Sequence, residues 1–400
     1  MKRIVALLLV FGLLLAGCGG ASTQTNVHKS PSKVPVVEVD TKDFAVNLFR
    51  AAAKEGENTL VSPLSVLTAL AMAANGAEGD TLTQMETTLG GTRVDLNDWL
   101  GGFKDDDQLK QANGIWVKND RKFAPNDVFL TTVQKVYDAV LNEAPFDETT
   151  RDEINAWVRE ETDGMIDGIV DEIPEEAIMY LINALSFEAA WVNPYEEHQV
   201  QKGIFTTEDG REIDVEMMYG TAYDYLRTEI AIGFRQWYEN EDYAFVALLP
   251  NEGVTVRELV DSLTGEALSE LLDKPEEDVV QTAIPKFEAE SDFELSEVLC
   301  GMGMDKVFDD ALADFSGLGT YENRNIYINR VLHKTSIHVA EQGTKAGAAT
   351  AVEIAYATGA WGPAEEPTTV YLDRPFVYMI VEKQSGIPLF MGTCMEPWNW

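Results

Sequence analysis

The sequence predicts an α+β fold in one large domain, and three observations carry that prediction. Two kinds of strand are written into it. Residues 335–341 alternate, with Thr335, Ile337, Val339 and Glu341 on one face and Ser336, His338 and Ala340 on the other, whereas 181–191 is apolar almost throughout. Alternation marks a strand with one solvated face, and a continuous apolar run marks one buried on both. Helical runs stand among these strands, the plainest being 63–74, which is apolar all round and so belongs in the middle of the protein. Finally, about 365 residues run on without internal period, linker or low-complexity break, and a 45% hydrophobic composition is compatible with one core of that size.

In chain order, Met1-Lys2-Arg3 is a positive start, and residues 4–17 carry no charge but are too few to span a bilayer comfortably. The run closes on Leu15-Ala16-Gly17-Cys18, which resembles the lipobox of a prokaryotic lipoprotein. That resemblance implies a signal peptide over 1–17, lipidation of Cys18, a membrane attachment through that lipid, and a body outside the cytoplasmic membrane, at the cell surface or secreted. An ordinary secretory signal cut near Ala21 and a plain hydrophobic anchor are the alternatives. Residues 18–38 read as a tether, since 19–35 have almost no large apolar side chain to bury. Ser30-Pro31-Ser32-Lys33 in that tether matches a Ser-x-x-Lys spacing, but such a motif needs a helix start and a buried pocket, which a stretch read as a tether is not expected to supply.

The folded domain occupies 39–400. Residues 44–54 suit an amphipathic helix, and 58–61 a short buried strand. Ser62-Pro63 then opens the apolar helix, which stops at Asn75-Gly76. Residues 112–117 read as a strand, 153–164 as a helix ending at glycine, 205–250 as several strands, 259–272 as one helix and 295–304 as another.

Composition removes several function classes. With 30 basic against 68 acidic residues the net charge is −38, which argues against nucleic acid and against electrostatic binding to anionic lipid. The four histidines, His28, His198, His333 and His338, show no metal-ligand spacing, and neither a Gly-x-Ser-x-Gly elbow nor a glycine-rich phosphate loop is present. No metal, cofactor or enzyme activity is expected. Cys300 and Cys394 lie in apolar company, which favours buried free thiols over one disulfide.

Function is expected in residues 341–358, where the alternating strand meets Gly343, Thr344, Ala346, Gly347, Ala348, Ala349 and Thr350 with no polar turn cluster between. Such residues are slim enough to join a packed sheet without overfilling it. Glu341, Gly343, Thr344 and 346–350 resemble the hinge of an inhibitory serpin, and Arg374-Pro375-Phe376 with 388–392 resemble the strand motifs that close that fold. Segments 58–76, 79–90, 112–117, 153–164 and 181–191 follow the family's order, so that the resemblance covers about residues 40 to 396.

The resemblance implies a mixed central β-sheet with two further sheets, about eight or nine helices and an exposed reactive-centre loop at about 343–373. It also implies a monomeric serine protease inhibitor acting as a suicide substrate. Ser62, Ser65, Asn183 and His333 match the polar cluster beneath the central sheet, called the shutter. Trp191, Lys286 and Glu341 match the breach, where the cut loop first inserts, with Lys286 and Glu341 an expected ion pair. Thr344, Ala346, Ala348 and Thr350 would face the core on insertion, and Lys345, which departs from the usual acidic residue, would face solvent. Counting from Glu341 places the cleaved bond at Ala357-Thr358, for an elastase- or subtilisin-like protease. One residue less gives Tyr356-Ala357 and a chymotrypsin-like target, and the long segment before Arg374 leaves Ala360 and Trp361 open. A serpin-fold protein that binds or chaperones without inhibiting is the alternative function.

Overall fold

A computed structural model of the chain describes residues 39–103, 108–322, 324–344 and 367–397, all within one compact unit, Ser32–Trp400. Cys18, the tether and the loop positions Lys345, Ala346 to Thr350, Tyr356 to Thr358, Ala360 and Trp361 lie outside the described residues.

The first helix, Lys42–Ala52, buries Ala45, Leu48, Phe49 and Ala52, the 3–4 spacing that puts side chains on one helical face. Strand Thr59–Val61 follows, and Ser62 then caps helix Pro63–Ala74 by accepting the Ser65 N–H, with Pro63 in the first turn, where its missing N–H costs nothing. All but one residue of this helix is buried, because it lies between strand Met179–Phe187 on one side and strand Pro388–Cys394 on the other.

The central sheet is built in two halves. One is Val140–Ala144, Leu109–Lys118 and Met179–Phe187, the first pair parallel and the second antiparallel. The other is Phe287–Glu294, Leu332–Ala340, Gly343–Thr344 and Ala189–Ala190, antiparallel throughout. Since only Glu188 separates Phe187 from Ala189, the halves meet through that chain at one end. Beneath them a nine-stranded sheet holds the densest core, with every residue of Tyr243–Pro250, Phe376–Glu382 and Pro388–Cys394 buried. A two-stranded ladder, Gly319–Tyr321 with Phe123–Pro125, completes the set. The expected mixed central sheet with two further sheets is present, with nine α-helices among the described residues.

Three expectations are corrected. The helix expected over 259–272 is two, Val256–Ser262 and Gly265–Asp273, because Thr264 leaves helical geometry to cap the second through the Ala267 N–H. Cys394 is a buried free thiol as expected, but Cys300 is a free thiol only half-buried. The strand before Gly343 does not run straight on. Glu341 and Gln342 form a turn, and Gly343–Thr344 comes back antiparallel to the strand it left, with Thr344 opposite Val339. The turn is fastened from outside, since the N–H groups of Trp191 and Tyr195 donate to the Gln342 and Glu341 carbonyls, each at 2.9 Å.

Candidate functional site

The unusual feature of the fold is an interrupted ladder in the central sheet among the described residues. Gly343 and Thr344 stand between Ala340 and Val339 on one side and Ala190 and Ala189 on the other, forming a single rung of a strand that would separate the two halves. Below that rung the facing edges of Met179–Phe187 and Leu332–Ala340 make no ladder with each other among the described residues. A cavity of about 200 Å³ lies in the opening, lined by Ser65, Leu70, Leu181, Asn183, Ile328 and His333 among others. Two strand edges not paired with each other can each template pairing with an extended chain that fits between them.

The rung itself is tightly built. Thr344 is 1% exposed, and its hydroxyl shares a hydrogen bond of 2.5 Å with the buried Tyr238 hydroxyl. Tyr238 stacks on Trp191, with ring centroids 4.5 Å apart, and the Trp191 indole N–H donates to the Ala340 carbonyl at 2.9 Å. Gly343 has no alternative, because a Cβ there would collide with the Ala189 carbonyl oxygen. At the outer corner Lys286 Nζ lies 3.1 Å from both Glu341 Oε2 and Glu216 Oε2. Burial works to lower the Lys286 pKa, but hydrogen bonds and charge from Glu341 and Glu216 outweigh it and raise it. Glu341 is held below the usual carboxylate range: burial pushes it up, and its backbone hydrogen bond and Lys286 together win.

At the middle of the opening the polar cluster sits in the core. His333 Nε2 accepts the Ser62 N–H at 3.0 Å, and the Ser62 hydroxyl donates to the Leu389 carbonyl at 2.8 Å. The Ser65 hydroxyl donates weakly to the Asn183 carbonyl at 3.5 Å. The Asn183 amide donates to Asn113 Oδ1 at 2.9 Å, while its own Oδ1, though buried, has no hydrogen-bond partner. Burial pushes the His333 pKa down to about 4, so the imidazole is neutral at ordinary pH.

Both expected groupings therefore come together. Ser62, Ser65, Asn183 and His333 meet beneath the opening, and Trp191, Lys286 and Glu341 meet at its upper end. Three neighbours escaped the sequence: Tyr238 for Thr344, Glu216 for Lys286 and Asn113 for Asn183. Only Asn113 carried a signal, a lone amide in the otherwise apolar or small run 112–117.

Comparison with known proteins agrees with this architecture. The sequence pattern described as serpin (serine protease inhibitor) matches residues 40–397. An uncharacterised serpin-like protein of Thermococcus kodakarensis is 30% identical over 435 aligned positions, covering 99% of each chain. Among solved structures, the thermophilic serpin tengpin superposes in its native state with a TM-score of 0.82 at 40% identity, over 90% of this chain and 93% of that one. Tengpin in its latent state gives 0.78 at 39% identity, over 88% and 96%. On fold, on motif order and on these matches, the chain belongs to the serpin family.

Proposed function

We propose that this serpin inhibits serine proteases as a suicide substrate. The protease's serine oxygen attacks the carbonyl carbon of Ala357, the C–N bond to Thr358 breaks, and the amine leaves with a proton from the protease's histidine, which gives an acyl-enzyme. Insertion of the freed strand into the central sheet before water arrives then drags the protease along and distorts its site. From residue 343 to 357 the chain spans about 45 Å as a strand, enough for a full-length insertion. Each new ladder bond adds roughly 0.5–1.5 kcal/mol net, so a whole strand gives on the order of 10 kcal/mol before apolar burial.

The observation that carries this reading is the first rung: Gly343 and Thr344 lie as a strand between the two halves, Thr344 buried, and below them Met179–Phe187 and Leu332–Ala340 make no ladder with each other among the described residues. Tengpin, the 40% identical relative, has been solved in both a native and a latent state, which is in keeping with a chain that has two folded arrangements. Incubation with elastase-, subtilisin- and chymotrypsin-like proteases, followed by a denaturing gel and mass analysis of the released C-terminal peptide, tests it. A covalent complex with a peptide beginning at Thr358 is expected, and a start at Ala357 would assign the Tyr356-Ala357 bond. Cleavage without complex would assign the non-inhibitory alternative. Anchoring through a lipidated Cys18 belongs to the same proposal, and Cys18→Ser moving the protein from the membrane to the soluble fraction is its check.

A further inference from the structure

The cavity of about 200 Å³ is built on one face of helix Pro63–Ala74, where Val66, Ala69, Leu70 and Ala73 fall at the 3–4 spacing that brings side chains together. Ala69 is the one residue of that helix that is not buried, so the cavity reaches the middle of the most apolar helix in the protein. Ile178 and Leu181 line it from one side, and Ile326 and Ile328 from the chain that leads into strand Leu332–Ala340.

Asn183 is the polar exception in this wall, and it is only 6% exposed. Its neighbours fix its orientation. Asn113 Nδ2 donates to the Tyr137 carbonyl at 2.8 Å, which leaves Asn113 Oδ1 for Asn183, and Asn183 must present its own Nδ2 there, at 2.9 Å. The other arm of the Asn183 amide, Oδ1, is then buried with no hydrogen-bond partner among the described residues. Close by, the Ser65 hydroxyl is engaged only through its weak 3.5 Å bond to the Asn183 carbonyl. A buried acceptor left open costs free energy that a donor recovers. The charged residues that line the cavity, Glu176, Arg330 and Lys334, are exposed or half-buried, whereas every buried lining residue is neutral, including His333, whose imidazole burial keeps uncharged.

We propose that this cavity binds a small uncharged alcohol or phenol, its apolar body against the helix and its hydroxyl donating to Asn183 Oδ1. An apolar cavity of about 150 Å³ takes up benzene, so one of about 200 Å³ suits a ring that carries a single hydroxyl. A carboxylate or an ammonium would have to shed its water against neutral walls, and the site excludes them. Nothing in this site depends on protease inhibition.

Calorimetric titration of the full native chain with phenol, toluene and benzoate tests the proposal. Phenol should saturate one site, and benzoate should bind at least about tenfold more weakly. Asn183→Leu, close in size but without the acceptor, should lower the ratio of phenol to toluene affinity by about tenfold. Ala69→Leu fills the cavity from the helix and leaves Asn183 in place. It should abolish saturable binding of both phenol and toluene while the circular dichroism spectrum stays that of wild type, and it decides the location even where Asn183→Leu does not fold. Absence of saturable phenol binding, benzoate bound as tightly as phenol, a phenol-to-toluene ratio unchanged in Asn183→Leu, or phenol binding that survives in a folded Ala69→Leu would each overturn the site.

Discussion

His333 shows how one side chain ties the sheet to pH. Its Nε2 accepts the Ser62 N–H, which requires the neutral ring with the proton on Nδ1. In the unfolded chain this imidazole titrates near 6.5, whereas burial in the fold lowers it to about 4. Between those values the unfolded state binds a proton that the folded state refuses, so the stability from this group is intact above about pH 6.5 and is lost as pH falls toward 4. The loss approaches about 3 kcal/mol at the acid end. Denaturant midpoints from pH 7 to 4 should therefore fall more steeply for wild type than for His333→Gln, and parallel profiles would remove His333 from the account. Thr344 sets a second limit at this scale. Thr344→Arg would put a cation into the site shared with Tyr238. The variant is expected to be cut and released as a substrate, and stable complex at wild-type yield on a denaturing gel would refute that.

Among the elements, the turn at Glu341–Gln342 decides whether the rung stays in place. It is pinned by the Trp191 and Tyr195 N–H groups and by Lys286, which bridges Glu341 and Glu216. Glu341→Lys would set a cation against Lys286 with only Glu216 left to offset both. The rung should detach and expose the full length of both flanking edges, which pair readily with a strand of another copy. Ladders of polymer on a native gel after mild heating are the expected outcome, and a variant that stays monomeric while wild type does likewise would count against it.

For the whole molecule, the proposed inhibition requires that the native chain sit above its lowest free energy, with the edges of Met179–Phe187 and Leu332–Ala340, which make no ladder with each other among the described residues, able to accept one more strand. On the proposed mechanism, cutting the loop frees its N-terminal part to enter, and the cut protein should withstand markedly higher temperature than the intact one. A calorimetric scan before and after limited proteolysis reads this directly, and superimposable scans would leave no stored free energy to drive inhibition.

Read alone, the sequence determined which residues could form each element and which could take part in a new strand. Ser62-Pro63 announces a helix start by local chemistry, 335–340 a strand by its period, and the run of small residues after Gly343 a segment slim enough to insert. It also marked Lys286 and Glu341, and Ser62, Ser65, Asn183 and His333, through motifs whose order along the chain was recognisable. Helix and strand signals act over a few residues, so they survive without knowledge of the rest of the fold. The break at Leu263-Thr264, the turn at Glu341–Gln342, the Tyr238 partner 106 positions from Thr344, and the half-exposure of Cys300 were decided only by tertiary structure. Each depends on what a distant segment brings to the site, and local periodicity holds no record of distance across the fold.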